Sequence, residues 1–157
     1  MPDKFSSEVR SKIMSSIKGK NTKPELIIRR FLHRYGFRFR LHGKYRGRLL
    51  SGKPDIILPK YKTVIFVHGC FWHGHQNCKY FRLPKSNTEF WRWKIARNRA
   101  NDIIHKMDLL REGWNVITIW ECEIKYNEEK QNVILNKLNG FLRSIQLPHK
   151  SDCRLNQ

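Results

Sequence analysis

The stretch PDIILPKYKTVIFVH, Pro54 to His68, decides the architecture. Its two continuous apolar runs, DIIL and TVIFVH, are joined by the turn PKYK, and that pattern predicts a hairpin of strands buried on both faces. Strands of this kind need helices packed on either side. Upstream, TKPELIIRRFLHRYG begins with Thr22 and Glu25 at the spacing of a capping box, carries Pro24 in its first turn and ends at Gly36. Downstream, residues 88–112 read as a long helix, apolar at Ile95, Ile103, Met107 and Leu110 and closed by Gly113. A further strand, WNVITIW, and a last helix over residues 128–146 follow. FRFRLH, residues 37–42, alternates as a half-buried strand does, and GKYRGRLLSGKP, residues 43–54, reads as a basic loop. The order α, α, β, β, β, α, β, α predicts an α/β fold, a central mixed sheet flanked by helices.

At 157 residues the chain suits one domain that buries about two-thirds of its unfolded surface, and no repeat or linker divides residues 1–157. In SSEVRSKIMSSIKGK, Val9, Ile13 and Ile17 recur at four-residue intervals, too little apolar surface for a core helix. Residues 1–20 are therefore expected to form a basic arm, with Lys12 among its cations, and residues 148–157 a flexible tail containing Cys153. The net charge is +19, and Met1 to Arg48 holds 14 Lys/Arg against 3 Asp/Glu. Charge of this density repels itself unless a polyanion neutralises it, and nucleic acid is the usual one. No run approaches the ~18 apolar residues of a membrane span, and the first residues lack the apolar centre of a signal peptide. The expectation is a cytoplasmic protein without a membrane partner. In that compartment the four cysteines argue for metal ligands or free thiols rather than disulfides.

The chemistry concentrates in VHGCFWHGHQNC, Val67 to Cys78. Cys70 and Cys78, with His73 and His75 between them, offer more soft ligands than one tetrahedral zinc takes, and Cys122 in WECE follows a strand from which it could complete the set. The spacing does not choose between His73 and His75. Asp55 opens the first strand of the hairpin, where a carboxylate and backbone oxygens suit a hard cation; the second strand delivers His68 across the hairpin. Alone, Asp55 after Pro54 is an ordinary turn carboxylate. Glu25 adds weight, as the only acid on a basic helix. Glu25, Asp55, His68 and a spare His73 make a set able to hydrolyse a phosphodiester with Mg²⁺. Phe71 and Trp72 within the loop, and Trp91 in TEFWRWK, are large enough to wedge between bases, most easily at a mismatch that unstacks cheaply.

RSKIM, TKPELIIRRFL, GKPDIIL, TVIFVHGCFWHGHQNC, TEFWRWKI and GWNVITIWEC stand in the order and spacing of the very-short-patch-repair DNA mismatch endonucleases, a resemblance that covers roughly residues 8–125. It implies a restriction-endonuclease-like fold with a structural zinc, and Mg²⁺-dependent nicking 5′ of the thymine in T:G mismatches left by deamination of 5-methylcytosine. It also implies a functional link to a DNA cytosine methyltransferase and to a repair polymerase and ligase, with the protein at work on the bacterial nucleoid. Position by position, Asp55 resembles the metal-binding aspartate, His68 a catalytic histidine and His73 the general base, which leaves His75 as zinc ligand with Cys70, Cys78 and Cys122. Glu25 resembles an acid that positions His68 or a metal-bound water. Phe71, Trp72 and Trp91 match the aromatic wedge, and Met14 an arm residue entering from the other groove. Two departures stand out: Val67 occupies a position commonly Thr, and the loop before Cys78 is one residue longer.

The expected activity is thus a strand-specific T:G mismatch nicking enzyme acting as a monomer, since one mismatch offers no two-fold symmetric target. The rivals are a homing or restriction nuclease on matched duplex and a non-catalytic zinc-stabilised DNA-binding protein.

Overall fold

The computed structural model describes residues 6–16 and 19–146. Ile17 and the tail from residue 147 onward, with Cys153, lie outside them. The chain runs α1 (Ser7–Ser16), α2 (Lys23–Arg34), β1 (Arg40–Leu41), β2 (Lys44–Tyr45), β3 (Arg48–Leu49), β4 (Ile56–Leu58), β5 (Thr63–His68), α3 (Thr88–Arg111), β6 (Asn115–Trp120), α4 (Glu121–Ile124) and α5 (Glu128–Gln146). The expected hairpin is present: β4 and β5 are antiparallel, Ile56 facing Ile65 and Leu58 facing Thr63, across a 3-10 turn at Pro59–Tyr61. The main sheet has the order β1-β4-β5-β6, antiparallel except for the parallel pair β5–β6, whose crossover is α3. It is a mixed sheet with helices on its faces.

The strands are buried on both sides, as their continuous apolar runs require. Ile56, Leu58 and Ile65 join Ile28 and Leu32 of α2 and Leu138 and Leu142 of α5 in one core cluster. The alternate residues Ile57, Val64 and Phe66 join Leu50, Leu109 and Trp114 in the other. Each fully buried Leu or Ile contributes roughly 1.5–3 kcal/mol of transfer free energy. α1 keeps Val9 and Ile13 exposed, in line with its weak apolar pattern.

Three local expectations need correction. FRFRLH forms a ladder only at Arg40–Leu41, because the Phe37 amide first donates to Leu32 O (2.9 Å) and closes α2. The basic loop contains a second, two-stranded sheet, β2 paired with β3. On α3, Ile103, Met107 and Leu110 are 61 %, 46 % and 50 % exposed. The inward stripe is instead Trp91, Ile95, Asn98, Asp102, His105 and Leu109, whose members are buried or half-buried at alternating steps of three and four residues. Its middle is polar, so an apolar count selects the wrong face. No helix among the described residues is long and apolar enough to cross a membrane.

Candidate active site and metal cluster

The parallel pairing sets His68 opposite Trp120, so β5 and β6 end side by side. The loop after β5 carries Cys70, and α4 after β6 carries Cys122. As that loop returns, His75 and Cys78 complete a group whose four ligand atoms all lie within 4.8 Å of one another. His75 Nδ1 is 3.6 Å from Cys70 Sγ and 3.4 Å from Cys122 Sγ. A tetrahedral zinc with Zn–S near 2.3 Å and Zn–N near 2.1 Å has N···S edges of ~3.6 Å, so the set has the size of such a site. His75 lies flat on Trp120, centroids 4.0 Å apart, which fixes the ring. Burial pushes the Cys70 thiol up to about 12 and also raises Cys122. Cys78 goes the other way, lowered against its own desolvation by the hydrogen bonds of the Tyr80 amide and the neighbouring thiols, and a bound cation would favour the thiolate at all three. The nitrogen–sulfur chemistry and the closed four-fold set fit zinc. Of the two histidines that spacing left open, His75 sides with the thiols.

His73 turns the other way, into a cleft of about 1040 Å³ that Glu25, Asp55, His68 and Asp102 also line. Its Nδ1 is 2.7 Å from Asp102 Oδ2, and its ring stacks on His68 at 3.8 Å and 3°. His68 Nε2 is 4.0 Å from Asp102 Oδ1. Burial, reinforced by His73, lowers the His68 pKa to about 4, so this imidazole is neutral near pH 7. Asp55 Oδ2 accepts the Val67 amide at 2.7 Å. Burial raises the Asp55 carboxyl to about 6 against that hydrogen bond, and the charge of Glu25 raises it further. A desolvated carboxylate with one oxygen bonded, in an open cleft beside a second acid, has the donor character of a hard-cation site that keeps several waters.

Glu25 is 3 % exposed and fully engaged: Asn21 N–H (3.0 Å), the Thr22 hydroxyl (3.0 Å) and Arg29 (2.7 Å) all donate to it. The expected capping box is therefore altered, with Thr22 donating to Glu25 rather than accepting from the helix. None of these partners is a histidine. Glu25 reaches Asp55 through its charge.

Phe71, Trp72 and Trp91 form one half-buried cluster, centroids 5.2 Å (Phe71–Trp72), 5.2 Å (Phe71–Trp91) and 6.0 Å (Trp72–Trp91) apart. Trp72 and Met14 line the cleft; Lys12 is exposed on α1. α3 pins the loop, Asn98 Nδ2 donating to Trp72 O (2.7 Å) and Arg99 Nε to Gly74 O (2.9 Å). Gly74 has φ +58, and a Cβ there would overlap Ile95 and Arg99. Sequence reasoning missed Asp102. Its signal was its place on the polar centre of the inward stripe, 29 residues from the histidine it meets.

A family described as DNA mismatch endonuclease Vsr matches residues 2–79. The chain is 44 % identical over 146 residues to the type II nicking enzyme V.NmeAIP of Neisseria meningitidis, covering 93 % of this chain and 98 % of that one. It is 47 % identical over 124 residues to the type II nicking enzyme V.XorIIP of Xanthomonas oryzae, covering 79 % and 88 %. With the DNA mismatch endonuclease Vsr of Escherichia coli it shares 36 % over 129 residues, 82 % of this chain and 80 % of the relative.

Proposed function

This chain belongs to the Vsr family of DNA mismatch endonucleases and is a DNA endonuclease, and from that premise we propose that it nicks one strand 5′ of the thymine in a T:G mismatch, with Mg²⁺ as cofactor. The observation that carries the reading is His73: its Nδ1 is committed to Asp102 at 2.7 Å, on a cleft that Asp55 shares. With Nδ1–H donated to the carboxylate, Nε2 keeps its lone pair and takes the proton of the attacking water. Asp102 is the positioning residue that stabilises the imidazolium so formed. His68, neutral and stacked, shields one face of His73 without adding a second positive charge and offers the scissile phosphate a hydrogen bond. Asp55 holds the cation, and Glu25, its charge partly offset by Arg29, adds negative potential beside it. Mg²⁺ bound there supplies polarisation of the phosphate and stabilisation of the leaving oxygen.

In the same reading Phe71, Trp72 and Trp91 wedge beside the mismatch, while Met14 and Lys12 on the arm meet the duplex from the other groove. Cys70, His75, Cys78 and Cys122 hold a structural zinc within a restriction-endonuclease-like domain that spans residues 1–157 and works as a monomer. Deaminated 5-methylcytosine as the lesion ties the reaction to a DNA cytosine methyltransferase, and a polymerase and ligase complete the repair.

The test is one duplex sequence made with T:G, C:G or A:T at a single position and incubated with protein and Mg²⁺. Only T:G is expected to be nicked, in one strand. Asp55→Ala and His73→Ala should still bind DNA but cut ~10²–10⁴-fold more slowly. Wild-type cutting by Asp55→Ala would sink the assignment of Asp55. Double-strand cleavage of matched DNA would point to a restriction-type nuclease, and no cleavage with any divalent metal to a non-catalytic binding protein.

A further inference from the structure

The segment from His42 to Lys53 joins β1 to the cleft. It makes three left-handed pairs in twelve residues: His42 (φ 59) with Gly43 (φ 68), Arg46 (φ 48) with Gly47 (φ 78), and Gly52 (φ 70) with Lys53 (φ 50). Positive φ is uncommon outside glycine, yet three of these six positions hold His, Arg and Lys. The first two pairs join β1 to β2 and β2 to β3, and the second closes the β2–β3 hairpin.

Its root is fixed to α3 and the core. Leu50 is buried, and Tyr45 meets Trp114 edge-on at 5.1 Å. The Ser51 hydroxyl donates to Asp108 Oδ2 (2.9 Å) and lies 2.9 Å from His105 Nδ1. With its single proton given to Asp108, Ser51 accepts from His105. Gly52 packs against the His105 side chain, where a Cβ would overlap it. Arg48 pairs with Glu112 at 2.5 Å. The other cations are free: Lys44, Arg46 and Lys53 are exposed, and no carboxylate among the described residues pairs with them. Lys53 lines the cleft, and the Arg46 guanidinium lies over the Tyr45 ring at 5.3 Å.

We propose that residues 42–53 form a rigid basic finger that grips the phosphodiester backbone of the duplex beside the scissile position, Lys53 nearest the cleft and Lys44 and Arg46 farther along the strand. The proposal rests on the DNA-cleaving reading of the cleft. Unpaired cations on a clamped scaffold bind phosphates with counterion release and little ordering of the protein. Lys44 and Lys53 carry point charges without the planar fork that reads base edges, and the Arg46 guanidinium lies over the Tyr45 ring, which favours backbone over bases.

The experiment compares full-length wild type with Lys44→Gln/Arg46→Gln, both exposed positions, in the salt dependence of Kd for matched and T:G duplexes. The slope of log Kd against log salt should fall by about 1.8, the loss of two phosphate contacts, equally on both duplexes. Ser51→Ala, which frees the root without removing a charge, should weaken binding several-fold and keep the slope. An unchanged slope in the double variant overturns the finger, as does a loss confined to particular flanking base pairs. Wild-type Ser51→Ala affinity overturns its rigidity. Nicking of T:G by the wild type is scored in parallel: a reduced slope without any nicking keeps the finger and rejects the mismatch reading.

Discussion

Two helical layers cover the same sheet, and they are built on opposite plans. On one face α2 and α5 press Ile28, Leu32, Leu138 and Leu142 into a continuous apolar contact. On the other, α3 fully buries apolar side chains at Ile95 and Leu109, and between them it turns Asn98, Asp102 and His105 inward. Those three polar residues each hold a different part of the site: Asn98 the Trp72 carbonyl, Asp102 the His73 ring, His105 the Ser51 hydroxyl. The contrast teaches a division of labour. One layer supplies most of the apolar burial, and that leaves the other free to spend its buried stripe on orientation.

The strongest test of this division strikes the joint between the layers. Cys122 sits on α4, whose Ile124 belongs to the α2–α5 cluster, while its sulfur meets the loop pinned by α3. Cys122→Ser should lower stability by on the order of 4 kcal/mol or more in urea unfolding, and chelation of the wild type should do the same. If neither moves the transition, the cluster is not a structural metal site. Next in size, Leu142→Ala in the apolar layer should lose roughly 2–5 kcal/mol of stability and, below its unfolding temperature, keep its nicking rate. The converse change, Asp102→Asn on α3, should slow nicking roughly 10²-fold and leave the urea midpoint in place. A Leu142 variant that lost activity in proportion, or an Asp102 variant that unfolded early, would collapse the distinction between the layers.

What the sequence revealed follows the same line. The β4–β5 hairpin, the limits of α5 and the cysteine–histidine group were legible because apolar runs, helix punctuation and soft-ligand density act locally. The face of α3 was legible only at Ile95, since the middle of its inward stripe is the half-buried Asn98, Asp102 and His105, recruited by partners 26, 29 and 54 positions away. Apolarity favoured Ile103 and Met107, and tertiary hydrogen bonding overrode it. Spacing within one loop left His73 and His75 open and the resemblance implied His75; the parallel register of β5 and β6 brings that ring to the Cys70 and Cys122 sulfurs. The Thr22–Glu25 spacing was recognised but misread in direction, because Arg29 and the Asn21 amide draw the carboxylate to themselves.

Val67 holds Asp55 through its main-chain amide, while its side chain packs against the α2–α5 cluster. A backbone donor is the same in every amino acid except proline. The anchoring of Asp55 is therefore insulated from side-chain mutation: position 67 can drift among apolar and β-branched residues, and in a saturation scan proline alone should cut the tether.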